Sequence, residues 1–214
     1  MGSQSYAETT LREFAAALAD RTPTPGGGSV AALLAACGAA LGAMVCRFTT
    51  GPNHVEVSGA MEKAGSRLDE IRERAVRLVD EDASAYAGVA AAMTMPKGTD
   101  AEKAARSKAM QEGLRRASEI PLETMGVAAQ ALEVLAPLAA TANRSVASDL
   151  AGAANCLEGA LAIGYANVRV NVLSMRAASE AEALDGRGRS LLEGAVDLAA
   201  SIRRATDEAL RPAK

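Results

Sequence analysis

Between Arg21 and Arg47 the chain carries no charged residue, and most of that stretch is Ala, Gly, Leu and Val. A run this long and apolar either crosses a bilayer or is enclosed by other helices. Ala and Gly partition into lipid more weakly than Leu or Ile, so the reading is a central helix walled in by its neighbours. Gly38 and Gly42, four apart, would let another backbone approach closely. The rest of the composition agrees: 49% of residues are apolar but only 2% aromatic, Trp is absent and there are 19 Gly. Ala is the best helix former, whereas strands draw on Val, Ile, Thr and aromatics. The expected fold is all-α: a single-domain bundle, residues 1–214, of long Ala/Gly-rich helices around the buried apolar helix.

The flanking helices are set by caps and breakers. Thr10 and Glu13 form a capping box for a first helix whose face carries Leu11, Phe14, Ala15 and Leu18. Pro23 and Pro25 end it. Thr49 to Ser58 reads as a loop, followed by a helix from about Ser58 to Met93. Its stripe runs Met61, Ala64, Leu68, Ile71, Ala75, Leu78, Asp82, Tyr86, Val89, Met93. The chain breaks at Met95-Pro96-Lys97-Gly98. Thr99 or Asp100 then caps a helix to about Thr141, with a kink expected at Pro121. Ser145 is the expected cap of a helix over 146–183. Leu184-Asp185-Gly186-Arg187-Gly188 reads as a turn, and an amphipathic helix over 189–211 closes the chain.

Several functions lack their raw material. The net charge is −3, from 23 basic and 26 acidic residues, with no basic block or aromatic platform for nucleic acid. His54 is the single histidine and no Cys-x-x-Cys occurs, which disfavours zinc sites, histidine-based triads and haem. Cys37, Cys46 and Cys156 are an odd set in apolar surroundings, read as buried free thiols in a reducing compartment. Met1-Gly2-Ser3-Gln4-Ser5 has no basic region leading into an apolar stretch, so a cytoplasmic protein with no membrane partner is expected.

Three groups can carry chemistry. Pro25-Gly26-Gly27-Gly28-Ser29 opens a helix, where exposed N–H groups favour an anion. No Lys-Ser/Thr follows as a P-loop needs, and a tight turn for packing is the plainer alternative. Asp80-Glu81-Asp82 is the second group. Asp80 and Glu81 can face water, but Asp82 interrupts the apolar stripe. Desolvation there raises a carboxyl pKa and suits it to proton transfer, unless a basic partner neutralises it. The third group is Asn143-Arg144-Ser145 with Ser148 and Asp149. Capping explains part of it, but not Arg144, nor Asn167 and Asn171 on one face further along. Lys97, at a helix break, could meet a substrate carboxylate or simply be solvated.

In order along the chain, Pro23-Thr24-Pro25-Gly26-Gly27-Gly28-Ser29-Val30-Ala31-Ala32, Glu81-Asp82-Ala83-Ser84-Ala85-Tyr86, Met95-Pro96-Lys97, Ile120-Pro121-Leu122, Ser148-Asp149-Leu150 and Ala166-Asn167-Val168-Arg169-Val170-Asn171 resemble the formiminotetrahydrofolate cyclodeaminase and methenyltetrahydrofolate cyclohydrolase family. The resemblance implies an all-helical homodimer binding a folate in a cleft near the subunit contact, with no metal or redox cofactor. It implies Asp82, Asp149 and Lys97 as catalytic candidates. Substrate contacts would come from Gly26, Gly27, Gly28, Ser29, Tyr86, Asn143, Arg144, Ser148, Asn167 and Asn171. Gly51-Pro52-Asn53-His54 departs from relatives that carry lysines there. Hydrolysis of the methenyl compound is favoured over cyclodeamination because 214 residues leave no room for a formimino-transferring domain. The contrasting expectation from another class is a non-catalytic helical interaction protein.

Overall fold

The computed structural model describes residues 5–212; the reading of the N-terminal start falls on residues 1–4 and so lies largely outside them. Six α-helices and three 3-10 turns, with no strand, make up the described residues. They are α1 (Leu11–Ala19), α2 (Gly27–Phe48), a turn over Pro52–His54, α3 (Val55–Thr94), α4 (Asp100–Leu135), turns over Ala136–Thr141 and Arg144–Val146, α5 (Ala147–Val172) and α6 (Ala178–Ala209).

The apolar helix is central, as expected. α2 packs chiefly on α3 and α5 and also touches α4, while α6 covers α4 and α5. Ala31, Ala32, Ala35 and Ala39 are fully buried, so neighbouring backbones can come close. A Cβ on Gly38 would lie 2.6 Å from Leu157 Cγ and 3.1 Å from the Ala153 carbonyl oxygen. Ala burial contributes little, and the larger share comes from Leu68, Leu78, Leu132, Leu157, Leu161 and Ile202, each worth about 1.5–3 kcal/mol. α5 runs antiparallel to α2: Gly27 meets Asn167, the Leu34 side chain lies against Gly159, and Leu41 against Gly152.

Both capping boxes form, Thr10 with Glu13 and Thr99 with Glu102. Arg106 donates to the Ala92 and Met93 carbonyls and so closes the C-terminal end of α3. Other boundaries differ from expectation. α3 begins three residues early, at Val55, after the 3-10 turn. Asn143, not Ser145, is the cap beyond α4: its Oδ1 accepts from the Ser145 backbone N–H at 3.0 Å. The break expected at Leu184–Gly188 falls instead at Leu173–Ala177, and 184–188 is helical within α6. Gly188 serves packing rather than a turn, since a Cβ there would sit 2.9 Å from Tyr165 Cδ2.

Three stripe residues, Leu11, Ala15 and Met93, are solvent-facing. Leu11 is 80% exposed, because the short α1 docks by Phe14, edge-on to Tyr6. Met93 lies exposed on the last turn of α3. Of the three thiols only Cys46 is buried, and burial pushes it up to about 11; Cys37 is exposed and Cys156 half-buried.

α4 continues through Pro121. Proline has no N–H to offer the Ala117 carbonyl one turn back. Asn171 of α5 replaces it, donating from Nδ2 to the Ala117 oxygen at 2.8 Å. Asp80 and Glu81 are likewise engaged rather than free in water. Asp80 accepts from Ser5 Oγ at 2.6 Å and the Tyr6 N–H at 2.6 Å, and the Tyr6 hydroxyl donates to the Thr24 carbonyl. Glu81 pairs with Arg74, which also reaches Glu123 on α4.

Candidate active site

The glycine run, Asp82, Tyr86, Asn167 and Asn171 converge on one crevice of about 150 Å³. It is lined by Pro23, Thr24, Gly26, Gly27 and Gly28 before and at the start of α2, Asp82 and Tyr86 of α3, Ala117 of α4, and Asn167, Val170 and Asn171 of α5. A larger concavity of about 930 Å³ between α4 and α6 contains none of the predicted site residues.

Asp82 is at the centre. Ser29 Oγ lies 2.9 Å from Asp82 Oδ2 and 3.1 Å from the Val79 carbonyl oxygen, and Ser29 itself is fully buried. A Cβ on Gly28 would stand 2.0 Å from Asp82 Oδ1, so the carboxylate rests directly on the Gly28 backbone. On Gly27 the same atom would be 2.9 Å from Asn167 Nδ2. These glycines are therefore required by the approach of two polar side chains, not by a turn. Burial raises the Asp82 carboxyl above the ordinary Asp range, while the Ser29 hydroxyl and backbone N–H pull it part of the way back. Its place beside the start of α2 works against burial in the same sense, because helix N-termini favour negative charge. No salt bridge neutralises Asp82 among the described residues, which removes the alternative of a paired structural carboxylate.

The two asparagines are oriented by their own bonds. Asn167 Nδ2 donates to the Ile163 carbonyl at 2.8 Å, and Asn171 Nδ2 to the Ala117 and Asn167 carbonyls at 2.8 and 3.0 Å. Neither Oδ1 accepts a hydrogen bond from the described residues, so both remain acceptors for N–H groups of a ligand. Tyr86 supplies the ring on one wall.

The other candidates lie elsewhere. Asn143 donates from Nδ2 to the Phe48 carbonyl at 2.8 Å, which fixes it at the opposite end of α2 from the glycines. Arg144, exposed, donates to the Arg211 carbonyl. Ser148 and Asp149 open α5, about 27 Å along the helix from Asn167 at 1.5 Å per residue. Lys97 is exposed in the turn between α3 and α4. None of these five lines the crevice. Conversely, Pro23, Thr24, Ala117 and Val170 are walls that the sequence reading left out. Pro23, Thr24 and Val170 lie within the matching segments, whereas nothing in the sequence pointed to Ala117.

The chain has known relatives. Residues 10–189 match the family model described as formiminotransferase-cyclodeaminase. The formimidoyltransferase-cyclodeaminase of Mus musculus is 37% identical over 200 residues, covering 93% of this chain but 37% of the relative. The chain thus spans little more than a third of that relative's length. The methenyltetrahydrofolate cyclohydrolase of Methylorubrum extorquens is 35% identical over 163 residues, 76% of this chain and 78% of the relative. In fold, the chain superposes with a TM-score of 0.84 on the formiminotetrahydrofolate cyclodeaminase of Thermotoga maritima, at 23% identity, covering 95% of this chain and 98% of that one. The family match takes in every segment that builds the crevice, and this chain belongs to the formiminotransferase-cyclodeaminase family.

Proposed function

We propose that the chain is a methenyltetrahydrofolate cyclohydrolase, adding water to 5,10-methenyltetrahydrofolate to give the 10-formyl compound. The carrying observation is the half-buried Asp82 carboxylate, unpaired by any cation among the described residues and facing a crevice otherwise walled by neutral groups. The substrate's bridging carbon belongs to a cationic amidinium, and an anion in a poorly hydrated crevice stabilises it. Water bonds to that carbon as one of its protons passes to Asp82. The carbon–ring-nitrogen bond then breaks as Asp82 returns the proton to that nitrogen, and the remaining O–H proton leaves to solvent. Asp82 is the base and then the acid. The Oδ1 atoms of Asn167 and Asn171 accept from pterin N–H groups, and Tyr86 packs beside the ring.

A second reading is favoured by the names of several relatives: cyclodeamination of the 5-formimino compound, in which ring closure expels ammonia and leaves the same bridged cation as product. The deciding experiment offers purified protein both substrates, following loss of methenyl ultraviolet absorbance and release of ammonia. Absorbance loss with no ammonia supports the cyclohydrolase, and ammonia release alone supports the cyclodeaminase. Silence in both assays leaves the non-catalytic alternative.

The same reading includes a homodimer in the cytoplasm. The outer face of α2 presents Val30, Leu33, Leu34, Cys37, Ala40, Leu41, Met44 and Phe48, with no charge before Arg47. Phe48 is 56% exposed, and the neighbouring face of α5 adds Cys156, Ala162 and Val170. Two copies packed there about a two-fold axis perpendicular to α2 would run antiparallel and bury the same face on each. The Asn143–Asp149 end of one copy would then stand beside the crevice of the other. That arrangement accounts for Asp149, Arg144 and Asn143 as site residues despite their distance from Asp82 in one protomer.

A further inference from the structure

Ser29 is enclosed by protein, yet its hydroxyl reaches two acceptors on α3 at once: Asp82 Oδ2 at 2.9 Å and the Val79 carbonyl at 3.1 Å. A hydroxyl has one proton and two lone pairs, so it cannot donate to both together. We propose that Ser29 is a positioning residue that lets Asp82 take up and release a proton without moving, its hydroxyl turning between the carboxylate and the Val79 carbonyl. The proposal rests on Asp82 being the base of the reaction above.

The hydrogen bonds balance in both states. With Asp82 ionised, Ser29 donates to Oδ2. The Val79 carbonyl keeps its partner in the α3 ladder, so nothing buried is left unpaired. With Asp82 protonated, the Oδ2–H donates to Ser29 Oγ, and the Ser29 proton swings to the second lone pair of the Val79 carbonyl. Only a torsion about the Ser29 Cβ–Oγ bond changes. Without it, a buried group would lose its partner in one half of the cycle.

Among the described residues, Ser29 is the one side chain hydrogen-bonded to the Asp82 carboxylate. On α3 the titratable neighbour in the crevice is the Tyr86 phenol. The segment before α2 contributes Pro23, Thr24 and glycines, α4 contributes Ala117, and α5 contributes Val170 and two amides. The amide N–H groups of Asn167 and Asn171 are committed to the Ile163, Ala117 and Asn167 carbonyls. Gly28 pressed against the carboxylate leaves no space on that side for a water molecule to substitute.

The test is the pH profile of kcat and KM for methenyltetrahydrofolate with Ser29→Ala and Ser29→Thr in the full chain, folding being checked by melting temperature. Ser29→Ala is expected to displace the acidic limb upward by about one pH unit and lower kcat about tenfold or more, with KM changed less than about twofold. Ser29→Thr keeps the hydroxyl and is expected to retain the wild-type limb. A wild-type profile in Ser29→Ala overturns the proposal, as does an equal displacement in both variants, which would trace the effect to packing. Should Ser29→Ala not fold, Ser29→Cys carries the test. Its weaker donor gives a smaller displacement in the same direction, and an undisplaced limb overturns the proposal. Full activity of Asp82→Asn would instead overturn the underlying assignment of the base, so the two failures are separable.

Discussion

Asp82, well along α3, and Ser29, in the first turn of α2, are 53 positions apart and share a 2.9 Å hydrogen bond that joins the two helices at the crevice floor. The bond holds a carboxylate where burial works against its charge.

That opposition gives a stability signature. Asp82 has a folded pKa above its unfolded value, so the folded chain binds its proton more tightly. The contribution is favourable below the ordinary Asp range and is lost as pH rises through the folded pKa. Asp82→Asn is therefore expected to melt at a higher temperature than the wild type at pH 7. The gain should shrink as pH is lowered toward the ordinary Asp range. Turnover in the same variant should fall about 100-fold or more, as for loss of a general base. Calorimetry across pH, with turnover measured on the same samples, checks both. A gain in stability that grows on acidification contradicts the sign.

Glycines in this chain should respond to substitution according to what they face. Gly28→Ala forces a methyl group into the Asp82 carboxylate and is expected to destabilise by about 1–3 kcal/mol and abolish turnover. Gly186→Ala, within α6 with open space around it, should stabilise by about 0.5–1 kcal/mol and leave turnover unchanged. Urea denaturation of the two variants side by side is the measurement. Equal effects would contradict the packing described here.

Pro121 and Asn171 should be energetically coupled. Asn171→Ala leaves the Ala117 carbonyl without a donor, a loss of about 1–2 kcal/mol. In a Pro121→Ala background the restored N–H can serve that carbonyl, so the same asparagine change should be milder by about 1 kcal/mol. A double-mutant cycle in denaturant reads the difference directly. Additive effects would mean that Asn171 does not stand in for the missing proline N–H.

The dimer can be tested by complementation. Cys37→Glu, in the middle of the outer face of α2, is expected to give a monomer by light scattering and to abolish turnover. Mixed and refolded, the inactive Asp82→Asn and Asp149→Asn variants should recover about a quarter of wild-type activity, since half of the dimers would carry one intact composite site. A mixture that stays inactive would count against Asp149 acting across the interface.

The central helix, both capping boxes and the anomalous Asp82 were legible because each depends on spacing within a single segment. Asp82 stood out by occupying an apolar position in a helical period, and the structure finds it half-buried there. What failed depended on partners far along the chain. The run Asp185-Gly186-Arg187-Gly188 carries every local mark of a turn, yet Gly188 is small because Tyr165 lies on it. Pro121 signals a kink from its own position, but nothing local says that Asn171 of α5 fills the carbonyl it frees. Asp80 looked solvated because its three donors sit in the N-terminal segment, where no periodicity points to them. For the site, the glycines, Asp82, Tyr86 and the asparagines were named correctly as neighbours. Asp149, Arg144 and Lys97 were grouped with them by sequence motif, which does not record at which end of an antiparallel pair a motif falls.

The apolar α2 also shapes how the chain is made. It is complete once Phe48 has left the ribosome, but the helices that enclose it end at Thr94, Leu135 and Val172. At ~5–20 residues per second, translation from Phe48 to Val172 takes roughly 6–25 s. For that interval a 22-residue apolar segment is incompletely covered. Nascent chains arrested before α5 should consequently bind hydrophobic-segment chaperones, and release should coincide with synthesis of the last wall rather than of α2 itself.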